Sequence, residues 1–202
     1  MGRPTCYRCF RPETACICAL VRPVRNRTRV LIVQHPRERR HPFGTARIAR
    51  LGLSRVEVAI AVGRDGEIRA PRVDLDRAAV LYPGPTATPL GEGDPVELDT
   101  LVVVDGTWPQ SRKLLRVSPW LSSLPRVAFD PPRPGNYRIR KAKNPEVEVS
   151  TIEAIAYALE HLEPQTPGIG GLVEDFDRVI DHQLSLQGRV PRFRKPKRRP
   201  TP

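Results

Sequence analysis

The chain has 202 residues, of which 39% are hydrophobic and 28% charged, with 23 prolines and a formal net charge of +12. That size fits one main domain plus a small appendage, and so many prolines exclude a fold built on many long helices, because each proline removes a backbone donor and crowds the preceding turn. No apolar stretch of signal-peptide length follows Met1, and the strongest apolar run, 101–104, is far too short to cross a bilayer. A soluble, cytoplasmic protein is therefore expected.

The charge is uneven. Residues 1–50 carry twelve basic and two acidic residues, a balance of +10. Residues 51–188 carry fifteen basic and twenty acidic ones, a balance of −5, and residues 189–202 seven basic and none acidic. A near-neutral body with basic ends points to a polyanionic partner, most simply a nucleic acid. The alternative is that the ends are merely solvated.

Segment 1–23 holds all four cysteines and reads as a separate small module. The run 29–34 (RVLIVQ) predicts a strand, 45–53 has helical spacing, and 56–62 predicts a second strand. A third starts at 78–81 and stops at Tyr82-Pro83-Gly84-Pro85. The run 101–104 is continuously apolar, as in a strand buried on both faces. A helix starts near Trp108, with Pro109 tolerated in its first turn. A short strand over 126–129 follows. In 150–162, Ser150 and Glu153 form a capping box ahead of an Ala-rich run. A last helix runs from Gly171 to about Gln187. Strands alternating with helices predict an α/β layer fold with a mostly parallel sheet. The reading divides the chain into 1–23, 24–187 and a basic, disordered tail 188–202.

Cys6, Cys9, Cys16 and Cys18 have the spacing C-x2-C-x6-C-x-C. Disulfides are not expected inside the cell, and four thiolates suit tetrahedral zinc, which can order a segment too small to bury a core. Unliganded or redox cysteines, or an iron–sulfur cluster, are the alternatives. Four sulfurs leave no open coordination position, so the expected role is structural. Arg8 and Arg11 lie within the same segment and could touch RNA phosphate.

Asp105-Gly106-Thr107-Trp108 sits where a buried strand gives way to a helix, the end at which α/β sheets bind ligands. The stretch LVVVDGTWPQSRKLL resembles the Asp-x-Thr-Trp signature of the DTW-domain family. Further pieces match in order. They are the cysteine knuckle, His35-Pro36-Arg37-Glu38 with Thr45-Ala46-Arg47, the turn Leu81-Tyr82-Pro83-Gly84, Asn136-Tyr137-Arg138-Ile139-Arg140-Lys141, and Ser150-Thr151-Ile152-Glu153-Ala154. Ser111 stands where the family often has Ala.

The resemblance implies a tRNA-uridine aminocarboxypropyltransferase similar to the SPOUT class, whose α/β fold carries a trefoil knot around a bent S-adenosylmethionine. It implies a cofactor pocket built from Leu81, Tyr82, Pro83 and Gly84, from Val104 and Gly106, and from Ser150 and Thr151. The helix start at Ser150 also has free N–H groups to offer a ligand's oxygens. Asp105 is the candidate to take the proton from uridine N3. Thr107 would hydrogen-bond the base or the cofactor's carboxylate, and Trp108 would stack on a ring. Arg112, Lys113, Arg138, Arg140 and Lys141 are candidate contacts to tRNA. The plainer readings are that Asp105 caps the following helix, that Trp108 is core and that the basic residues are a solvated edge. His35 and Glu38 remain open between structural and RNA-facing roles. Three rival readings share these residues: a SPOUT-type RNA methyltransferase, a zinc-knuckle RNA-binding protein without catalysis, and a related transferase whose target is ribosomal RNA.

Overall fold

A computed structural model describes residues 4–39, 41–64, 67–73, 75–92, 96–136, 138–139 and 148–186. Its main strands are β1 (Arg29–Gln34), β2 (Val56–Ile60), β5 (Ala78–Leu81), β6 (Thr88–Pro89), β7 (Thr100–Asp105) and β8 (Arg126–Ala128). These six form one sheet in the order β2-β1-β7-β5-β8-β6, every neighbouring pair parallel. The helices are α1 (Pro36–Arg39), α2 (Ala46–Gly52), α3 (Trp108–Val117), α4 (Pro119–Ser123), α5 (Thr151–Leu162) and α6 (Gly171–Ser185). The expected second strand is interrupted: β2 ends at Ile60, and Val62–Arg64 (β3) instead forms a hairpin with Glu67–Arg69 (β4).

Side-chain alternation divides the core into two layers. Val30 and Ile32 of β1, Leu101 and Val103 of β7 and Ala79 of β5 face α2, α5 and α6. Leu31 and Val33, Val102, and Ala78 and Val80 face α3 and α4, where Leu115 and Leu121 meet them. Successive strand residues point to opposite faces, so a strand covered on both sides must be apolar at every position. That is the pattern of VLIV in β1 and LVVV in β7. No helix among the described residues is long and apolar enough to cross a membrane.

The cysteine segment packs onto the first layer. Cys9 and Ile17 are buried in the same cluster as α2, α5 and α6, as is Val21. Gly52, at the end of α2, lies so close to this seam that a Cβ there would stand 2.9 Å from Leu172 and 3.1 Å from Val21. The trefoil knot implied by the resemblance is a property of the whole chain path. Parts of that path, 140–147 and 187–202, lie outside the described residues.

Arg22 fastens the segment's exit to α6. Its backbone N–H donates to Asp175 Oδ2 at 2.6 Å, its Nε donates to Asp175 Oδ1 at 2.9 Å, and Arg178 also donates to Asp175. Neighbouring Glu174 pairs with the same guanidinium at 2.8 Å, but its side chain is 68% exposed against 1% for Asp175. Exposed ion pairs contribute little, whereas removing a buried acceptor leaves donors unpaired. Asp175→Ala should therefore cost about 2–4 kcal/mol in denaturant unfolding, while Glu174→Ala should be close to neutral. Equal effects would show that burial is not what matters at this junction.

Candidate active site and cysteine centre

Asp105 ends β7 on the face that looks toward α5, as the alternation from Leu101 and Val103 requires. Its register partner on β1 is Gln34, whose Nε2 donates to Asp105 Oδ2 at 2.8 Å. From the opposite side, Thr151 in the first turn of α5 donates its hydroxyl to Asp105 Oδ1 at 2.6 Å. The carboxylate is buried at 5% exposure and held in one orientation by two side chains distant in sequence. The cap position of α3 belongs to Thr107, whose N–H donates to Gln110 Oε1 at 2.7 Å. Capping does not account for Asp105.

The loop after Asp105 is tight. A Cβ on Gly106 would lie 3.2 Å from Gln110. Trp108 is 40% exposed, so it is not core, and its ring meets Tyr82 edge to face at 5.7 Å. The Arg126 guanidinium lies 5.5 Å from the Tyr82 ring centre, and a Cβ on Gly84 would meet it at 3.1 Å. Burial raises the pKa of the Tyr82 phenol, while the charges of Arg112 and Arg126 pull it back.

Ser150 caps α5, with Glu153 reciprocating: the Ser150 N–H donates to Glu153 Oε2 at 2.8 Å. Glu153 is fully buried, and its other oxygen accepts the Asn136 N–H at 2.9 Å. A cavity of about 160 Å³ opens between these parts, walled by Asp105, Gly106, Thr107, Ser150, Thr151 and Glu38, among others. Two of the three expected pocket segments thus share one cavity. The third, Leu81, Tyr82, Pro83 and Gly84, is absent from its walls and joins the loop through the Tyr82–Trp108 ring pair. Val104 points into the opposite layer.

His35 and Glu38 are both buried, at 6% exposure, so neither presents itself to RNA from the surface. The His35 N–H donates to the Asp105 carbonyl at 2.8 Å and its Nδ1 accepts the Arg37 N–H at 3.2 Å. Burial lowers its pKa, with the charge of Arg37 adding to the effect. Arg112 and Lys113 are exposed on α3. Arg138 is committed elsewhere, donating to Asp181 at 2.7 Å and to Asn136 Oδ1 at 3.0 Å. Arg140 and Lys141 lie outside the described residues.

The four cysteine sulfurs lie within 4.8 Å of one another, with Cys6–Cys18 at 3.7 Å and Cys9–Cys16 at 3.8 Å. Tetrahedral zinc–sulfur bonds of about 2.3 Å put sulfurs about 3.8 Å apart, so the donor set fits such an ion. The N–H groups of Cys9 and Arg8 pull the Cys6 thiol down to about 6, whereas burial pushes the Cys18 thiol up, with the neighbouring sulfurs adding to the effect; a bound cation favours the thiolate at all four. Arg11, 8% exposed, lies buried beside Cys9 and Cys16 rather than facing RNA. The cluster could hold zinc.

Gln34, Glu153, Asn136 and Arg126 were not singled out by sequence as site residues. For Gln34 the signal was present: a polar residue closing an apolar strand, on the inward parity. Asn136 opens a stretch that resembles the family's, but nothing in that stretch marks its bond to Glu153, and Arg126 carries no local signal; only the tertiary fold brings the two here.

A family model described as the DTW domain matches residues 3–184. The chain is 31% identical over 191 residues to tRNA-uridine aminocarboxypropyltransferase 2 of Drosophila melanogaster, covering 90% of this chain and 76% of that protein. It is 30% identical to the protein of that name from Mus musculus and 29% to that from Macaca fascicularis, in each case covering 80% of this chain and 57% of the relative. The chain therefore spans little more than half the length of the two mammalian relatives. No solved structure matches it. With its Asp-Gly-Thr-Trp motif at the strand end that walls the cavity, and a family match running through nearly its whole length, this chain belongs to the DTW-domain family.

Proposed function

We propose that this protein transfers the 3-amino-3-carboxypropyl group of S-adenosylmethionine to N3 of a uridine in tRNA. The observation that carries the reading is the buried, doubly hydrogen-bonded Asp105 at the cavity wall, in a chain whose relatives are named tRNA-uridine aminocarboxypropyltransferase 2. S-adenosylmethionine supplies a carbon made electrophilic by its sulfonium. The bond from uridine N3 to that γ-carbon forms, the carbon–sulfur bond breaks with its electron pair going to sulfur, and neutral methylthioadenosine leaves. The N3 proton goes to Asp105.

Fixing the carboxylate with Gln34 and Thr151 removes rotamers that would have to be frozen at the moment of reaction. Held in this way, the carboxylate contributes through its position beside the reacting base. The Ser150 N–H is taken by Glu153, which leaves Thr151, at the start of α5, to offer its N–H to an anionic group such as the donor's carboxylate. Thr107 and Gly106 complete that wall, and Val104, Leu81, Tyr82, Pro83 and Gly84 are assigned to the adenosine side. Trp108 offers a face for stacking. Arg112, Lys113, Arg138, Arg140 and Lys141 are assigned to tRNA phosphate; Arg138 would first have to leave Asp181. Cys6, Cys9, Cys16 and Cys18 are assigned to one structural zinc. Residues 1–23 form the cysteine module, 24–187 the catalytic body and 188–202 a basic arm that lies outside the described residues.

Asp105→Asn keeps the shape and removes the charge. Its amide can be accommodated, because the Thr151 hydroxyl can accept as well as donate and the Gln34 amide can turn over. The chemical step should fall about 100-fold or more with little change in thermal unfolding. Wild-type turnover would exclude Asp105 from the chemistry. Chromatography of the nucleoside product from the wild-type enzyme should show methylthioadenosine as the by-product; S-adenosylhomocysteine would establish a methyltransferase instead.

Metal analysis of protein purified without chelator should find about one zinc per chain. Cys9→Ser should lose the metal and, because Cys9 is buried in the core cluster, lower the unfolding midpoint. Protein without metal but with wild-type stability would refute the structural zinc.

A further inference from the structure

The sheet ends at β2 as an edge strand, and a second hollow lies there, on the same face as Asp105. It has a volume of about 490 Å³, within the range of ligand pockets. Its walls come from the cysteine segment (Phe10), α1 (Arg39), α2 (Arg47, Arg50) and β2 (Val58, Ile60).

Three guanidiniums line it against one acid, the buried Glu38. Arg50 is exposed and lies 4.7 Å from the centre of the Phe10 ring. Burial lowers the pKa of the Arg47 guanidinium; the nearby Cys9 opposes that effect and the like charge of Arg50 adds to it. Guanidiniums that repel one another in a half-closed hollow are relieved by an anion. Phe10 is 56% exposed and Tyr7, on the same segment, 89%. Exposed aromatic rings beside arginines are the usual platform for unpaired bases and their phosphates.

The hollow adjoins the reaction cavity. Gln34 lines the hollow and donates to Asp105, and Glu38 lines both spaces. From this juxtaposition we infer that the edge groove between the cysteine segment and β2 holds the RNA strand beside the target uridine. Arg39 and Arg50 bind phosphates, and Phe10 with Tyr7 stacks a neighbouring base. The inference rests on the tRNA reading above and adds a binding surface to it. It gives the cysteine cluster a second consequence: the four sulfurs fix the loop that presents Tyr7 and Phe10.

The test uses the full chain and an unmodified tRNA transcript, with binding measured by fluorescence anisotropy across a salt series. Arg39→Glu/Arg50→Glu should weaken binding at least about tenfold at low salt. It should also flatten the log–log salt slope by about two units, close to 0.9 for each phosphate no longer neutralised. S-adenosylmethionine affinity should hold, and the kinetic loss should fall on KM for tRNA more than on turnover. Arg50→Lys, which keeps the point charge, should retain most binding. Independently of any variant, 4-thiouridine in the transcript should crosslink wild-type protein on the peptide containing Tyr7 and Phe10. Unchanged affinity and slope in the double variant, or crosslinks confined to α3, would overturn the groove. The two readings separate cleanly. Methylthioadenosine release with undiminished tRNA binding by the double variant keeps the activity and removes the groove. Groove-dependent binding without that release keeps the groove and removes the activity.

Discussion

Everything at the site depends on Asp105 being clamped between Gln34 and Thr151. Those partners are 71 and 46 residues away in sequence, so neither bond can form until the central strands and α5 are assembled. Parallel strands cannot be joined by a tight turn and need a crossover. The pairing of β1 with β7, which sets Gln34 level with Asp105, therefore requires residues 35–99 to run out and return. A slip of one residue in either strand would turn its polar end to the α3 side and break the clamp. The continuous apolar runs of β1 and β7 do not forbid such a slip by themselves. The polar ends do, because Gln34 and Asp105 would each lose a partner in a buried setting.

Buried carboxylates act as struts across the proline-rich connections. Glu153 accepts the N–H groups of Asn136 and Ser150. Glu163, 1% exposed, accepts those of Arg27 and Thr28 at 2.8 and 3.1 Å. Asp175 accepts that of Arg22. In each case an acid on α5 or α6, or at the end of α5, satisfies backbone donors of an irregular segment that has no ladder to join. Buried donors must be paired somewhere, and two-oxygen acceptors on rigid helices serve several at once. These three acids define where the cysteine segment, the start of β1 and the loop before α5 attach to the helical layer.

The positive charge of the chain is less uniform in meaning than its total implies. Arg22, Arg77, Arg133 and Arg138 are engaged with Glu174 and Asp175, with Asp99, with Asp177 and with Asp181. Arg11 is buried beside the sulfurs. Arg39, Arg47 and Arg50 instead line the hollow beside Phe10 at the sheet edge, and Arg112 is exposed on α3.

By itself the sequence determined the α/β class, the two strands buried on both faces, the capped start of α5 and the cysteine quartet, because each follows from local rules: unbroken apolarity, a capping box, ligand spacing. It also marked Asp105 through the motif. Tertiary structure decided what Asp105 touches, because register and alternation, not proximity in sequence, bring Gln34 and Thr151 to it. It likewise moved Arg11 inside, paired Arg138 with Asp181 and set Trp108 against Tyr82. Whether an arginine is strut or ligand depends on which acid the fold brings within reach. The break at Ala61 has the same origin: its N–H still donates to the Gln34 carbonyl at 2.9 Å, but Val62–Arg64 beyond it pair with Glu67–Arg69 instead of β1, a change of partner that only the folded chain supplies.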